Sequence, residues 1–440
     1  MRKAIYTLLC LSLVAALVSC KKEPAKPKIF AVTVQLTYPA DSGFSAIAGI
    51  EVTAKNTINA SSFTSQTDAG GRAVFSLPAG IYEISATDYR SVSGSAIILS
   101  GSNPTVKVTA PWDSASVVNL ELVASKSSQV IIKELYSGGC PKDDGTGSWQ
   151  RDQYVILYNN SANVADLSGV CMTYSVTINS NVTNYNYGAD GKLWYEAENL
   201  NLSLWCIAEF PAGASVAPFS QVVVALYDAV DHTTTYSQSV NLSKPEYYAV
   251  YNPELFTMIA TPATTIPTSH YMTTLKYEGV KTQAWSLSVG SPAFFIFAPT
   301  DGHNATSITA DANMNYLYNS QALMICKKIP NSWILDGVEV FKKDATNNKK
   351  RLTATIDTGS VDFTNALGYT IYRNVDAAAT KAIEGNEAKL VYNYKGGALD
   401  TTDPSGIDAE ASIAAGAKIV YKDTNNSTND FHVRATASLR

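Results

Sequence analysis

The stretch Thr67-Asp68-Ala69-Gly70-Gly71-Arg72-Ala73-Val74-Phe75-Ser76-Leu77-Pro78-Ala79-Gly80-Ile81-Tyr82-Glu83-Ile84 decides how this 440-residue chain is read. Asp68-Ala69-Gly70 supplies a turn that needs positive φ, and Phe75 and Leu77 then face one way along a strand. Pro78-Ala79-Gly80 turns the chain into a second strand through Tyr82 and Ile84. The same period of two recurs upstream, in Val32, Val34 and Leu36 and again in Ile50, Val52 and Ala54. Clusters of Gly, Pro, Asp and Ser separate the runs. Alternation punctuated by turn residues predicts short antiparallel strands in a sandwich from Phe30 to about Val123.

Beyond a Ser-Lys-Ser-Ser linker, a second domain starts near Ser128. Val130–Tyr136 and Gln153–Asn159 read as strands, with a loop at Cys140-Pro141-Lys142-Asp143-Asp144-Gly145-Thr146-Gly147 between them. Phe210–Ala225 reads as strand, loop and strand, leading into a short helix or turn over Leu226–His232. Alternation weakens between about 233 and 290, which marks an insertion, and Lys244–Pro253 can begin a short helix with Pro245 at an early position. Regular strands resume at Ala293–Phe297 and Ser332–Val340. The expected fold class is all-β, a two-domain antiparallel β-sandwich protein with a few short helices. Its domains are 30–125 and 128–440, the latter interrupted at about 233–290.

Several of these runs carry a family resemblance. Residues Thr67–Tyr82 resemble the T-D-x-x-G-x-A-x-F-x-L-P-x-G-x-Y signature of the carboxypeptidase-regulatory or prealbumin-like sandwich. That resemblance implies a spacer or adhesive module. Val164-Ala165-Asp166-Leu167-Ser168-Gly169, entered from an apolar strand and a polar Asn turn, resembles the start of a lamin-tail domain, an immunoglobulin-like sandwich. Ile156 and Val170 stand where that family often carries an acidic residue and a tryptophan. The run Asp336-Gly337-Val338-Glu339 is similar to its returning strand. Gly368–Arg373 and Asp423–Phe431 are of a kind common near the end of such bacterial domains. Together the features resemble Bacteroides-type outer-membrane lipoproteins whose main domain is of unknown function, the domain-of-unknown-function 4876 family. The resemblance brings no catalytic residues. It implies a partner, an energised outer-membrane transport receptor, and an accessory role in nutrient capture, with a metal or a cofactor among the possible nutrients.

The first residues give an address. Met-Arg-Lys, an apolar run from Ala4 to Val18 and Leu17-Val18-Ser19-Cys20 read as a secretory signal over 1–19 ending in a lipobox. The run is too short to span a bilayer, and Cys20 is the expected lipidation site. Residues 20–29, charged and proline-bearing, are expected to form a tether. The expected location is the outer membrane, held through the lipid anchor, at the cell surface or facing the periplasm. Asp113-Ser114-Ala115 and Asp400-Thr401-Thr402 resemble short O-glycosylation acceptors of exported proteins.

A formal charge of -5 with no basic stripe argues against nucleic-acid binding. Four internal cysteines, Cys140, Cys171, Cys206 and Cys326, have no C-x-x-C pair and no histidine nearby, so a zinc site is not expected. An exported protein permits disulfides, with Cys140 to Cys206 or Cys171 preferred; buried free thiols are the alternative. The chain has no G-x-S-x-G elbow, S-x-x-K pair, H-E-x-x-H or phosphate-binding glycine loop.

Candidate binding residues are therefore few. Asp231-His232 pairs a carboxylate with a histidine after a strand, which suits a metal or a proton shuttle, although a satisfied turn histidine is commoner. Asp143–Gly147 offers oxygens to calcium without the spacing of a calcium loop. The aromatics Tyr174, Tyr185, Tyr187, Trp194, Tyr195 and Trp205 suit either a glycan-stacking face centred on Trp194 or ordinary strand packing. Tyr247, Tyr248 and Tyr251 fall in the insertion and are candidates for a partner-contacting lip. The function expected is a lipid-anchored envelope binding or accessory protein. The alternatives are an adhesin or glycan-binding module, and a surface hydrolase or metal-assisted enzyme at Asp231 and His232.

Overall fold

The computed structural model describes residues 28–440 except 41–42, 60, 93–94, 110–111, 114, 127, 176–185 and 319–323. The expected signal, Cys20 and the expected tether up to residue 27 lie outside the described residues, as do Tyr185 and Ser114. Among the described residues, no helix is long and apolar enough to cross a membrane. The chain is all-β. Its α-helices number four among those residues, Ala305–Ala310, Ala377–Ala382, Ala409–Ala414 and Ser427–Asp430. Two compact units divide it, and the division does not fall at one point in sequence. The first holds the described residues up to Gln35, Ile47–Ile84 and Asn103–Asn119, and the second holds Leu36–Ala46, Ser85–Ser102 and Leu120–Arg440.

In the first unit, Arg72–Pro78 lies antiparallel to Ile29–Thr37, with Val32 opposite Phe75 and Phe30 opposite Leu77. Glu51–Asn56 pairs in the same sense with Ser62–Gln66. Ala73, Phe75 and Leu77 are buried while Arg72, Val74 and Ser76 face solvent. Asp68 makes the turn, its Oδ1 accepting from the N–H groups of Gly70 (2.8 Å) and Arg72 (3.0 Å). Gly71 takes φ +76° there, a region that a Cβ disfavours. Tyr82 is buried and its hydroxyl donates to the Pro78 carbonyl at 2.9 Å, closing the next turn.

The second unit is built on one sheet of twelve strands. Their order is Val361–Phe363, Ile334–Lys342, Ala293–Phe297, Cys171–Tyr174, Cys206–Glu209, Tyr271–Lys276, Tyr248–Val250, Gln221–Ala225, Tyr154–Asn159, Val130–Tyr136, Thr370–Arg373 and Phe431–Arg434. Val130–Tyr136 and Tyr154–Asn159 are buried at every position. The reason is coverage of both faces. Ile132, Leu135, Val155 and Leu157 join one large core with Phe294, Ile296, Val338 and Val340. Tyr136, Tyr154 and Ile156 pack on the other side against Val240, Leu242 and Ile266, and Ile131 and Tyr158 pack against Ile407 and Ile419. A sheet buried on two faces reads as unbroken apolar runs instead of alternation.

Three expectations are set against the structure. Residues 233–290 are part of the sheet: Tyr248–Val250 and Tyr271–Lys276 are two of its strands, and Tyr248–Val250 runs parallel to both of its neighbours. Lys244–Pro253 forms a turn, Tyr247 N–H to Lys244 carbonyl at 3.1 Å, and that short strand, with no helix. Cys140, Cys171, Cys206 and Cys326 are free thiols and all buried. Cys140 sits in a two-residue ladder opposite Trp149, while Cys206 lies beside Tyr174, whose hydroxyl is 3.1 Å from its sulfur.

Candidate functional site

Asp231 and His232 do not form a pair. Asp231 caps a 3-10 turn over His232–Thr234, its Oδ1 accepting from the Thr233 N–H (3.0 Å) and hydroxyl (2.6 Å) and its Oδ2 from Asn241 (3.0 Å). His232 is buried. Its Nδ1 lies 3.1 Å from Trp149 Nε1, which can only donate, so Nε2 carries the proton and donates it to the Asp228 carbonyl at 3.0 Å. Both ring nitrogens are engaged inside the fold, which leaves none for a metal or a substrate proton.

Two of the three lip tyrosines are likewise core. Tyr247 and Tyr248 are buried, Tyr248 stacking on His270 with ring centroids 4.5 Å apart. Tyr251 is half-buried, with its ring edge-on to Tyr271. Trp194 packs between Tyr195 and Tyr316, and Tyr174 lies edge-on to the buried Trp285. Asp143 accepts from the Ser237 N–H and hydroxyl, and Asp144 accepts from Thr146, so both carboxylates fasten loops. Among the described residues, no group of three or more His, Cys, Asp or Glu is placed to hold a metal ion. The Thr401 hydroxyl donates to the Ala398 carbonyl (2.8 Å) and accepts the Val433 N–H (2.9 Å), a structural use of that acceptor motif.

What sequence reasoning missed is the charge inside the second unit. Arg373 is buried in a ring of acceptors: Ile132 carbonyl (2.6 Å), Lys422 carbonyl (2.8 Å), Asp336 and Asp423 (3.4 Å), with Asp430 at 3.7 Å. Burial pushes Asp336 up to about 7 and Asp430 up to about 6, and Arg373 opposes both shifts. Glu339 and Arg351 form a second buried pair, in which Glu339 Oε1 accepts from Arg351 Nε (2.9 Å) and Nη2 (2.8 Å). Its Oε2 takes the N–H groups of Arg351 (2.8 Å) and Leu352 (2.9 Å). His432 accepts from Arg434 at Nε2 and meets Asn374 Oδ1 at 2.7 Å. Burial, with the Arg434 charge, pushes it down to about 3, so it is neutral. These groups are engaged with one another and with main-chain atoms, although among the described residues Arg434 Nη2 has no hydrogen-bond partner, and they hold the strands together.

A different arrangement stands where loops meet. The ladder Cys140–Pro141 with Ser148–Trp149 presents Trp149, whose ring centroid is 5.0 Å from Tyr236 at 35°. Arg151 lies 4.9 Å from the Tyr227 centroid and 5.9 Å from Trp149, and forks onto Asp228 at 2.6 and 3.0 Å. Asp143 ties this ladder to the Tyr236–Ser237 loop. Trp149, Arg151 and Tyr236 all keep part of their surface exposed. Two aromatic faces flanked by a paired cation can stack on a planar or ring-shaped ligand face. No sequence spacing links Trp149 to Tyr236; only the fold does.

No curated protein matches the chain. A crystal structure of a DUF4876 family protein from Bacteroides thetaiotaomicron VPI-5482 is similar, with a TM-score of 0.51 and 21% identity. The match covers 91% of this chain and 94% of that one, and at this identity it establishes likeness of fold. Residues 217–395 match the family described as "Protein of unknown function (DUF4876)".

Proposed function

We propose that this chain is a lipid-anchored binding protein of the cell envelope that assists an outer-membrane transport receptor in capturing a nutrient. The observation that carries the reading is Leu17-Val18-Ser19-Cys20 at the end of an apolar run, the pattern of an acylated export signal. The loop-built Trp149, Tyr236 and Arg151 surface is the contact face in this reading, since loops on a rigid sheet are where binding residues concentrate. In cells fed a labelled fatty acid, the wild-type chain takes up label and remains with the outer membrane, whereas Cys20→Ala does neither. Native pull-down of the full chain from detergent-solubilised envelope recovers a transport receptor. Repeated recovery of the chain alone overturns the receptor part of the proposal.

One observation favours a second reading, a glycan-binding module: Trp149 and Tyr236 are partly exposed rings packed on each other, 5.0 Å between centroids, and together offer one aromatic surface on which a sugar can lie. Retention on a glycan panel that Trp149→Ala abolishes supports it; no retention by the wild type across the panel removes it. A hydrolase at Asp231 and His232 receives no such support, because both groups are occupied within the fold.

A further inference from the structure

Lys133 is the most unusual side chain of the second unit. Along Val130–Tyr136 the pairing with Tyr154–Asn159 slips, so that Ile156 faces Glu134 and Leu157 faces Ile132. Lys133 is left without an opposite residue, the extra residue of a β-bulge. Bulges re-aim side chains. This one drives a fully buried lysine among the rings of Tyr158, Tyr372 and Tyr421, with Nζ 5.9, 5.4 and 5.7 Å from their centroids. At the end of that aromatic sleeve, Nζ is 2.6 Å from Gln221 Oε1 and 2.7 Å from Glu410 Oε1. Glu410 also accepts the Tyr372 hydroxyl at 2.6 Å, which fixes its position. An amine, a carboxamide and a carboxylate therefore meet at one point.

From this juxtaposition we infer that Lys133 and Gln221 become joined by an intramolecular isopeptide bond, with Glu410 carrying the protons. The three groups have the roles the reaction needs. Glu410 takes one proton from the Lys133 ammonium and frees the lone pair of Nζ. Nζ then bonds to the Gln221 side-chain carbonyl carbon, and the bond from that carbon to Nε2 breaks. A second Nζ proton passes through Glu410 to Nε2, which leaves as ammonia. The third stays on the new amide, and the proton left on Glu410 goes to solvent. Charge and atoms balance and no oxidant or reductant is consumed. The product replaces a buried ammonium with a neutral amide, relieving a desolvation cost. Holding the reactants in contact removes the entropic part of the barrier. The bond would tie two strands that flank Tyr154–Asn159 and lie 88 residues apart in sequence.

Intact-mass measurement of the purified full chain tests this directly. With cleavage before Cys20 and its acylation accounted for, the expected mass is lower than that of the unmodified polypeptide by one ammonia. Proteolysis then yields a branched peptide containing Lys133 and Gln221. Lys133→Met and Gln221→Ala restore the unmodified mass, and Glu410→Gln slows or stops its loss. A wild-type chain at full mass, giving linear peptides with an unmodified Lys133, overturns the inference, as does an ammonia loss that maps to a succinimide at an asparagine. Because the wild-type mass and its peptide map decide together, a variant that fails to fold does not obscure the answer.

Discussion

The strand Arg72–Pro78 and the strand Val130–Tyr136 are each seven residues long and bury opposite kinds of pattern. In the first, every second residue is buried and its neighbours are wet. In the second all seven are buried, including Lys133 and Glu134. The first strand carries its function in its spacing: one face packs, the other is free to be polar. The second lies in a sheet covered on both sides, so a charge on either face is taken out of water and must find a partner from another element. Hence Lys133 meets Glu410, Glu134 takes the Tyr154 hydroxyl at 2.6 Å, and Arg373 gathers Asp336, Asp423 and Asp430. One-sided sheets write the fold into local sequence, whereas two-sided sheets write it into distant partners.

The comparison breaks most sharply at Arg373. Replacing it with Met leaves three buried carboxylates without their cation, a loss of roughly 3–5 kcal/mol. Arg72→Met, on the exposed face of the first unit, shifts stability by less than about 0.5 kcal/mol. Urea midpoints measure both. Adding Asp336→Asn to Arg373→Met should recover part of the loss; a double variant no more stable than the single one would show that burial of the carboxylates is not the cause. Neighbouring apolar residues give the second test. Ile156 and Leu157 point into different cores, so each change to Ala costs roughly 2–5 kcal/mol. In the first unit Leu77→Ala costs a similar amount, while Val74→Ala is within about 0.5 kcal/mol of neutral.

That contrast also explains what could be read beforehand. The first unit was legible because Ala73, Phe75 and Leu77 alternate with Arg72, Val74 and Ser76 and because Asp68 and Gly71 mark the turn. The main strands were legible as apolar runs, but not their order. Tyr248–Val250 has three residues and no turn signal of its own, so its parallel place between Gln221–Ala225 and Tyr271–Lys276 depends on neighbours supplied from elsewhere. Tyr247 and Tyr248 looked like loop aromatics for the same reason. For Asp231 and His232, adjacency in sequence suggested a dyad, yet the 3-10 turn sends one side chain to its cap and the other inward to Trp149. Lys133 and Arg373 carried no local signal at all, since a charge in a strand ordinarily marks its wet face.

Titration sharpens the comparison within the charged interior. His432 has a folded value near 3, below its ordinary 6.5, so between these limits the unfolded chain binds the extra proton. Its contribution is present above pH 6.5 and is withdrawn as pH falls, by about 3 kcal/mol at pH 4. Asp430 has the opposite sign. Its folded value, raised from 3.8 to about 6, means the folded chain binds the extra proton, so stability declines as pH rises between those values. Urea midpoints across pH 4 to 6.5 should therefore rise less steeply with pH in His432→Gln than in the wild type, and more steeply in Asp430→Asn. Identical slopes in all three would mean that neither group titrates on unfolding.

The smallest effect asks whether the two regions differ in their turns as well as in their faces. Gly71 has φ +76° in the first unit and Gly145 has φ +72° in the Cys140–Trp149 hairpin, where a Cβ would meet nothing within 4 Å. Each substitution by Ala should cost about 1 kcal/mol from backbone strain alone. Equal losses would confine the difference between the regions to how many faces of the sheet are covered. A clearly larger loss at Gly145 would show that the hairpin bearing Trp149 is coupled, through Asp143 and Ser237, to the body of the second unit, and that its turn is held more tightly than its open surroundings require.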